Sequence, residues 1–336
     1  MRRRGWIRSA LAGVTAVTLL AGCSSGDESG DKPTREPATA ASAPAVTVTP
    51  AGEVSPSAGI TALLAEPATG ALAILTDPRT LQLRDPGAGT GRTVSLPAEA
   101  VALAPGKPGE ILLAAPGKVL RVDVASGALT ELPVDGDVRA VALRADGDVV
   151  AGLASGPVLI LGSDGAVRDR ISGLVSADAI DTSDDAVVVL DRRQTTVSEL
   201  NLAEDRAGLT LRAGDGATNM IGDHFGRRIV TDTAGHELLV YTADPLVLHQ
   251  RFPVGSSPYA LAYDQRSETV WVTLTGSNEV VGYDLSTGIP VEVGRFQTVR
   301  QPNTVTIDER TGDMFVGSAT GDGLQRIGAD LRKRGQ

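Results

Sequence analysis

Cys23 is the only thiol in this 336-residue chain, and His224, His236 and His249 are its only histidines. A single thiol cannot form a disulfide within the chain. Three scattered histidines with no cysteine partner do not make a transition-metal site, so no metal and no cofactor is expected. Carboxylates are abundant, but the pairs Asp135/Asp137, Asp146/Asp148 and Asp184/Asp185 sit around Gly or Ser in predicted turns. None of them reproduces a calcium-binding loop, and Asp-Gly is ordinary hairpin chemistry. Gly87-Ala88-Gly89-Thr90-Gly91 follows Asp85-Pro86 between two predicted strands, with no helix to present an N-terminus to phosphate. No G-x-S-x-G elbow occurs, and no catalytic residue is expected. The residue with the most definite chemical context is Cys23.

That context is an N-terminal segment with Arg2, Arg3, Arg4 and Arg8, then a mostly apolar run from Ser9 to Gly22. The run is short of the ~20 residues a helix needs to span a bilayer and fits a secretory signal peptide. It ends in Leu20-Ala21-Gly22-Cys23, which resembles the lipobox of bacterial lipoproteins. The resemblance implies cleavage before Cys23, a diacylglycerol on its thiol and fatty-acyl chains such as palmitate. Two or three such chains, at about 0.8 kcal/mol per buried CH2, hold a protein durably on a membrane. The expected location is therefore the cell membrane, lipid-anchored and facing away from the cytoplasm.

The elements that position any further chemistry lie beyond this anchor. Residues 1–22 read as signal and 23–58 as a lipidated Pro/Ala/Ser/Thr-rich tether, too poor in apolar bulk to offset chain entropy. Residues 59–328 read as the folded body and 329–336 as a basic C-terminal tail. Without the four signal arginines, 27 basic residues face 41 acidic ones. That balance argues against nucleic acid or anionic lipid as the main partner of the body.

From Ser57 onward the sequence reads as short strands of four to six residues, punctuated by Gly, Pro and Asp. Phe252, Pro258, Asp264 and Trp271 are matched by Phe296, Pro302, Asp308 and Phe315, with the same steps of six, six and seven. Apolar anchors recur near Ala62, Val101, Val141, Ala179, Met220, Leu261 and Val305, about forty residues apart. Four strands per repeat of that length predict an all-β fold, a seven-bladed β-propeller of four-stranded antiparallel blades. The last repeat supplies only three strands. Val46-Thr47-Val48 is the candidate N-terminal strand to complete it, the alternative being a plain tether and a three-stranded last blade.

The stretch TVWVTLTGSNEVVGYDLSTG from Thr269 to Gly288, after VGSSPYALAYD from Val254 to Asp264, resembles the YVTN-repeat β-propellers. These are bacterial secreted and surface proteins that include lactonase-like members. The match departs at Trp271 and Leu274, where the family prefers Tyr and Asn. It implies a fold more firmly than a function.

In such a blade the a–b turns close simple hairpins, whereas the b–c loops and d–a crossovers share the opposite end. Function on rigid scaffolds concentrates in loops, so that end is the candidate binding face. Its candidates are Asp191, Arg193, Asp232, His236 and Asn278 from b–c loops, and Asp178, Asn219, Tyr259, Arg300 and Asn303 from crossovers. Ordinary loop chemistry is the competing reading for each. The expected function is a monomeric binding or scaffold module for an envelope protein or polymer. A lactonase-like hydrolase or a small-ligand sensor at the channel mouth is the alternative.

Overall fold

Short apolar stretches between Gly, Pro and Asp turns cannot sustain a helix, and every regular element among the described residues is a strand. The structure, a computed structural model, describes residues 32–87, 91–182 and 186–332. In chain order the strands are β1 (Glu53–Ser55), β2 (Ala62–Ala65), β3 (Leu72–Asp77), β4 (Thr80–Arg84) and β5 (Gly91–Ser95). Next come β6 (Ala102–Pro105), the long strands β7 (Glu110–Asp123) and β8 (Leu129–Leu143), then β9 (Val149–Leu153), β10 (Val158–Leu161) and β11 (Val167–Ile171). β12 (Ala179–Asp181), β13 (Val188–Asp191), β14 (Thr196–Asn201) and β15 (Arg206–Arg212) follow. After them stand β16 (Ala217–Gly222), β17 (Arg227–Asp232), β18 (Glu237–Thr242) and β19 (Val247–Pro253). The chain ends with β20 (Pro258–Asp264), β21 (Thr269–Leu274), β22 (Glu279–Asp284), β23 (Val291–Gln297), β24 (Pro302–Ile307), β25 (Met314–Ser318) and β26 (Leu324–Ile327).

These strands form a β-propeller. They make six antiparallel sheets, five of four strands and one of six. The innermost strands touch in the order β2, β6, β8, β12, β16, β20, β24 and back to β2, closing a ring around a central channel. Seven separate four-stranded sheets, as the repeat predicted, are not found. The reason lies in β7 and β8, which run through positions where turns were expected. β7 pairs with β6 through Ile111 to Ala114, then with β8 through Pro116 to Val122. β8 in turn pairs with β9 from Val138 onward. The Pro116↔Asp137 pair extends the β7–β8 pairing across a register shift, so two predicted repeats share one sheet.

Central strands such as β9 and β21 are buried on both faces, because each sheet is covered by a neighbour on either side. Cores therefore form between sheets: Ile229 and Val240 of one pack with Val270, Val272 and Val281 of the next. Trp271 shows the fit required. A methyl placed on Gly282 or Gly294 would come within 2.9 Å of its indole ring, so both positions must be bare. Phe296 lies 5.7 Å from the indole, centroid to centroid.

The described residues from Thr34 to Arg332 belong to one compact unit. The predicted signal peptide, Cys23, Asp184 and Asp185 lie outside the described residues. Among the described residues no helix is long and apolar enough to cross a membrane.

One expectation about the N-terminal side needs correction. The strand that completes the last sheet is β1, not Val46–Val48: Glu53, Val54 and Ser55 pair with Arg326, Gln325 and Leu324. Val46 and Val48 stand 40% and 54% exposed outside any strand. Residues 329–332, the described part of the expected basic tail, bond to the body. Ala329 N–H donates to Asp313 Oδ1, Arg332 pairs with Asp264 at 2.9 Å, and its guanidinium lies over Trp271.

Candidate functional site

The face made by b–c turns and d–a crossovers is held together by a repeated local device. Asp191 and Asp232 each end the second strand of a sheet, and both are fully buried. Asp191 accepts from Val175 N–H, Ser176 N–H, Ser176 Oγ and Gln194 N–H. Asp232 accepts from Asp215, Gly216 and Gly235 N–H. A carboxylate there satisfies the donors of its own turn and of the preceding crossover at once. Both were candidate ligand contacts in the sequence, and both are instead consumed in holding the turns.

The next turn position repeats as well. Thr195, His236 and Asn278 have φ of 49°, 62° and 55°, a left-handed conformation that side chains seldom adopt. Their carbonyls accept from Ala213, Val254 and Thr298 N–H respectively, fixing each crossover against its turn. His236 Nδ1 accepts from Ser257 N–H, and Asn278 Oδ1 accepts from Gln301 N–H, both at 3.0 Å. Ser257 and Gln301 are themselves left-handed, at 56° and 53°. That conformation aims both side chains across the face.

Residues 34–51, read from the sequence as free tether, lie along this face as a strap. Arg35 N–H donates to Arg193 O, and the Arg35 guanidinium donates to Asp215 O. Arg192 donates to Ala38 O, and Ala41 N–H donates to Ser257 Oγ at 2.9 Å. Gln301 grips two strap residues with one amide: Oε1 accepts from Ala43 N–H and Nε2 donates to Ala41 O, both at 2.9 Å. Arg300 Nε donates to Ala43 O and Asn278 Nδ2 to Pro44 O. Ala51 then bonds Gln297 O through its N–H and Gln325 Nε2 through its carbonyl, which leads the chain into β1. Nearly every one of these bonds reads strap backbone. Only Ala43 is buried; most of the strap stays in contact with solvent.

Beside the strap opens the channel, with a cavity of about 410 Å³. Asp178, Asn219, Tyr259 and Asn303, all sequence candidates, meet in its lining together with Arg139 and Arg192. Asp178 is the one carboxylate there, and it accepts from Ser176 Oγ and Arg192 N–H. Asn219 donates to Tyr259 O, and Arg139 pairs with Asp137 at 2.6 Å. The face thus divides into three: Asp178, Asn219, Tyr259 and Asn303 on the channel, Arg193, Asn278 and Arg300 under the strap, and Asp191 and Asp232 inside the turns. His236 is exposed at the rim.

Sequence reasoning missed Ser257, Gln301 and the strap they hold. Ser257 is the last residue of its crossover, at the place Gln301 takes in the next repeat, and that equivalence was the available signal. The carboxyls with displaced proton affinity lie elsewhere: Glu66 and Glu309 at a–b turns, Asp123 at the end of β7 and Glu292 in β23. Burial opposes ionisation of Glu66, but bonds from Thr69, Gly109 and Ala68 outweigh it and bring its pKa below the ordinary 4.5. Partial loss of hydration raises that of Glu309, an exposed residue, helped by the carboxylates of Asp264, Asp308 and Glu66. No group of three metal-ligating side chains occurs among the described residues.

No protein-family model matches this chain. No curated protein matches it either. Solved structures do. Hydrazine synthase of Kuenenia stuttgartiensis superposes with a TM-score of 0.69 at 12% identity, covering 85% of this chain and 99% of that one. A catalytically inactive histidine-to-alanine variant of virginiamycin B lyase from Staphylococcus aureus, with quinupristin, gives 0.68 at 13%, covering 83% and 98%. A chain of the mitotic checkpoint complex gives 0.69 at 10%, covering 95% and 99%. At such identities the likeness establishes the propeller and nothing of its chemistry.

Proposed function

We propose that this protein is a lipid-anchored, extracytoplasmic binding module whose b–c and d–a face engages an envelope protein or polymer. Anchoring rests on the lipobox-like ending at Cys23. The observation that carries the binding role is the strap: side chains on this face already hold an extended chain by its backbone. We read the scaffold as seven blades, the six-stranded sheet standing for two; the ring of innermost strands and the register shifts in β7 and β8 support this count. Membership of the YVTN-repeat propellers is part of the same proposal.

The hydrolase reading required carboxylates from several blades to converge. Among the described residues the channel lining offers one carboxylate, Asp178, already bonded, which does not support that reading. A small polar ligand in the channel is the second reading. It is favoured by Arg192 Nε, which among the described residues is buried without a hydrogen-bond partner at the lining.

Cross-linking of the lipidated protein in intact cells, followed by mass spectrometry, tests the main reading. Cross-links from one partner to peptides holding Arg193, Asn278 or Arg300 are expected. Cross-links spread evenly over all faces would sink it, and a Cys23→Ser variant still retained on the membrane would sink the anchor.

A further inference from the structure

The grip on the strap has three features that bear on what else the face holds. It is directed at backbone groups: Ser257, Asn278, Arg300 and Gln301 between them bond the N–H or C=O of Ala41, Ala43 and Pro44. It packs closely where Ala38 meets the face, since a methyl on Gly216 would stand 2.7 Å from the Ala38 Cβ. It has no ladder, because no strand is formed between residue 34 and Gly52. A segment exposed along most of its length and held without a ladder opens more readily than the sheets beneath it.

From this the geometry points to the strap as a resident stand-in for a second polypeptide. The surface beneath it fits an extended segment of another protein, rich in Ala and Pro and read through its backbone, which takes the same clamps when the strap lifts. Proline favours the extended conformation in advance and reduces the freedom lost on docking. The Gln301 amide presents a donor and an acceptor side by side, as a neighbouring strand does, which is the chemistry of adding a chain to an edge. Opening and occupancy are thereby linked: the partner binds the opened form, and the strap lowers its apparent affinity by the fraction of time it stays docked.

The inference rests on this face being the binding surface, and its test is separate from the cellular one. The full chain in detergent, wild type and A41P/A43P, is titrated with a fluorescent synthetic peptide of residues 34–51. The two prolines remove the N–H groups that meet Ser257 and Gln301, so the variant is expected to bind at least about ten-fold tighter than wild type. Adding Gln301→Ala to that variant should abolish the gain. Equal binding by wild type and a variant that melts like wild type overturns the proposal, as does a gain that survives Gln301→Ala. In hydrogen exchange of the wild type, Ala41 and Ala43 amides should exchange well before those of β21 and β22. Exchange as slow as those strands would mean the strap never lifts. Strap exchange between copies, seen as a concentration-dependent dimer, would replace the foreign partner with a second copy. Failure in these titrations with cross-links still on the face would remove the stand-in and leave the binding surface.

Discussion

His236 and Asn278 stand at the same place in successive sheets, each left-handed and each accepting the backbone N–H of the last residue of the following crossover, Ser257 and Gln301 respectively. They differ in reach. Asn278 also donates to the strap at Pro44 O, whereas no such bond is formed from His236 among the described residues. Replacing His236 by Asn should therefore leave stability within about 0.5 kcal/mol. Asn278→Ala removes two bonds and orphans Gln301 N–H, and should cost about 2 kcal/mol. Urea midpoints of the two variants check the contrast.

Asp191 and Asp232 make a stronger demand. Each is fully buried and accepts at least three bonds, so an alanine leaves several donors facing a void. Either substitution should lower unfolding free energy by about 3 kcal/mol or more. A near-wild-type denaturation midpoint would refute the capping role.

Gly52 turns the strap into β1 with φ of 72°. A methyl there would overlap the Arg326 carbonyl oxygen, so Gly52→Ala should lift β1 from β26. Faster hydrogen exchange at Leu324 to Arg326 is expected, with amides of the β14–β15 pair unchanged.

Acid should act through Glu66, which joins two blades by accepting from Gly109 N–H besides its own turn. Its folded pKa lies below 4.5, so its contribution is complete above that value and is lost as pH falls through the folded one. Glu66→Gln should destabilise by about 1–2 kcal/mol at pH 7, with the gap closing as pH falls through the lowered folded value. Glu309 has the opposite sign: its pKa is raised, and its ionisation opposes folding as pH climbs past the ordinary 4.5. Glu309→Gln should raise the melting temperature at pH 7 and leave it unchanged at pH 4.

The propeller was legible because its repeat is written in residues that packing and turns require. Asp264 and Asp308 bond the N–H two residues on, at Arg266 and Arg310, and Pro258 and Pro302 open equivalent strands. The six-stranded sheet escaped notice because Pro116-Gly117 is a break by composition, yet the β7–β8 pairing extends across it, with a register shift, to Pro116↔Asp137. β1 was hidden for another reason: all three of its residues are exposed, so it lacks the alternation that drew attention to Val46–Val48. On the candidate face, residue types did not distinguish free groups from committed ones. Asp191 and Asp232, 41 residues apart, shared a repeat position that marked them as scaffold. The strap left no pattern, since a backbone held by distant side chains places little demand on its own residue types.

The strap also fixes the order in which the molecule would yield to a pull. Force entering from the N-terminal side reaches Arg35 first, then the contacts at Ala38, Ala41, Ala43 and Pro44, and only afterwards Ala51 and β1. These grips load one after another, so each breaks alone at low tension and leaves the ring shut. The segment that reads as slack is a shock absorber in series with the buckle of the propeller, and stretching it would uncover the face before the fold is at risk.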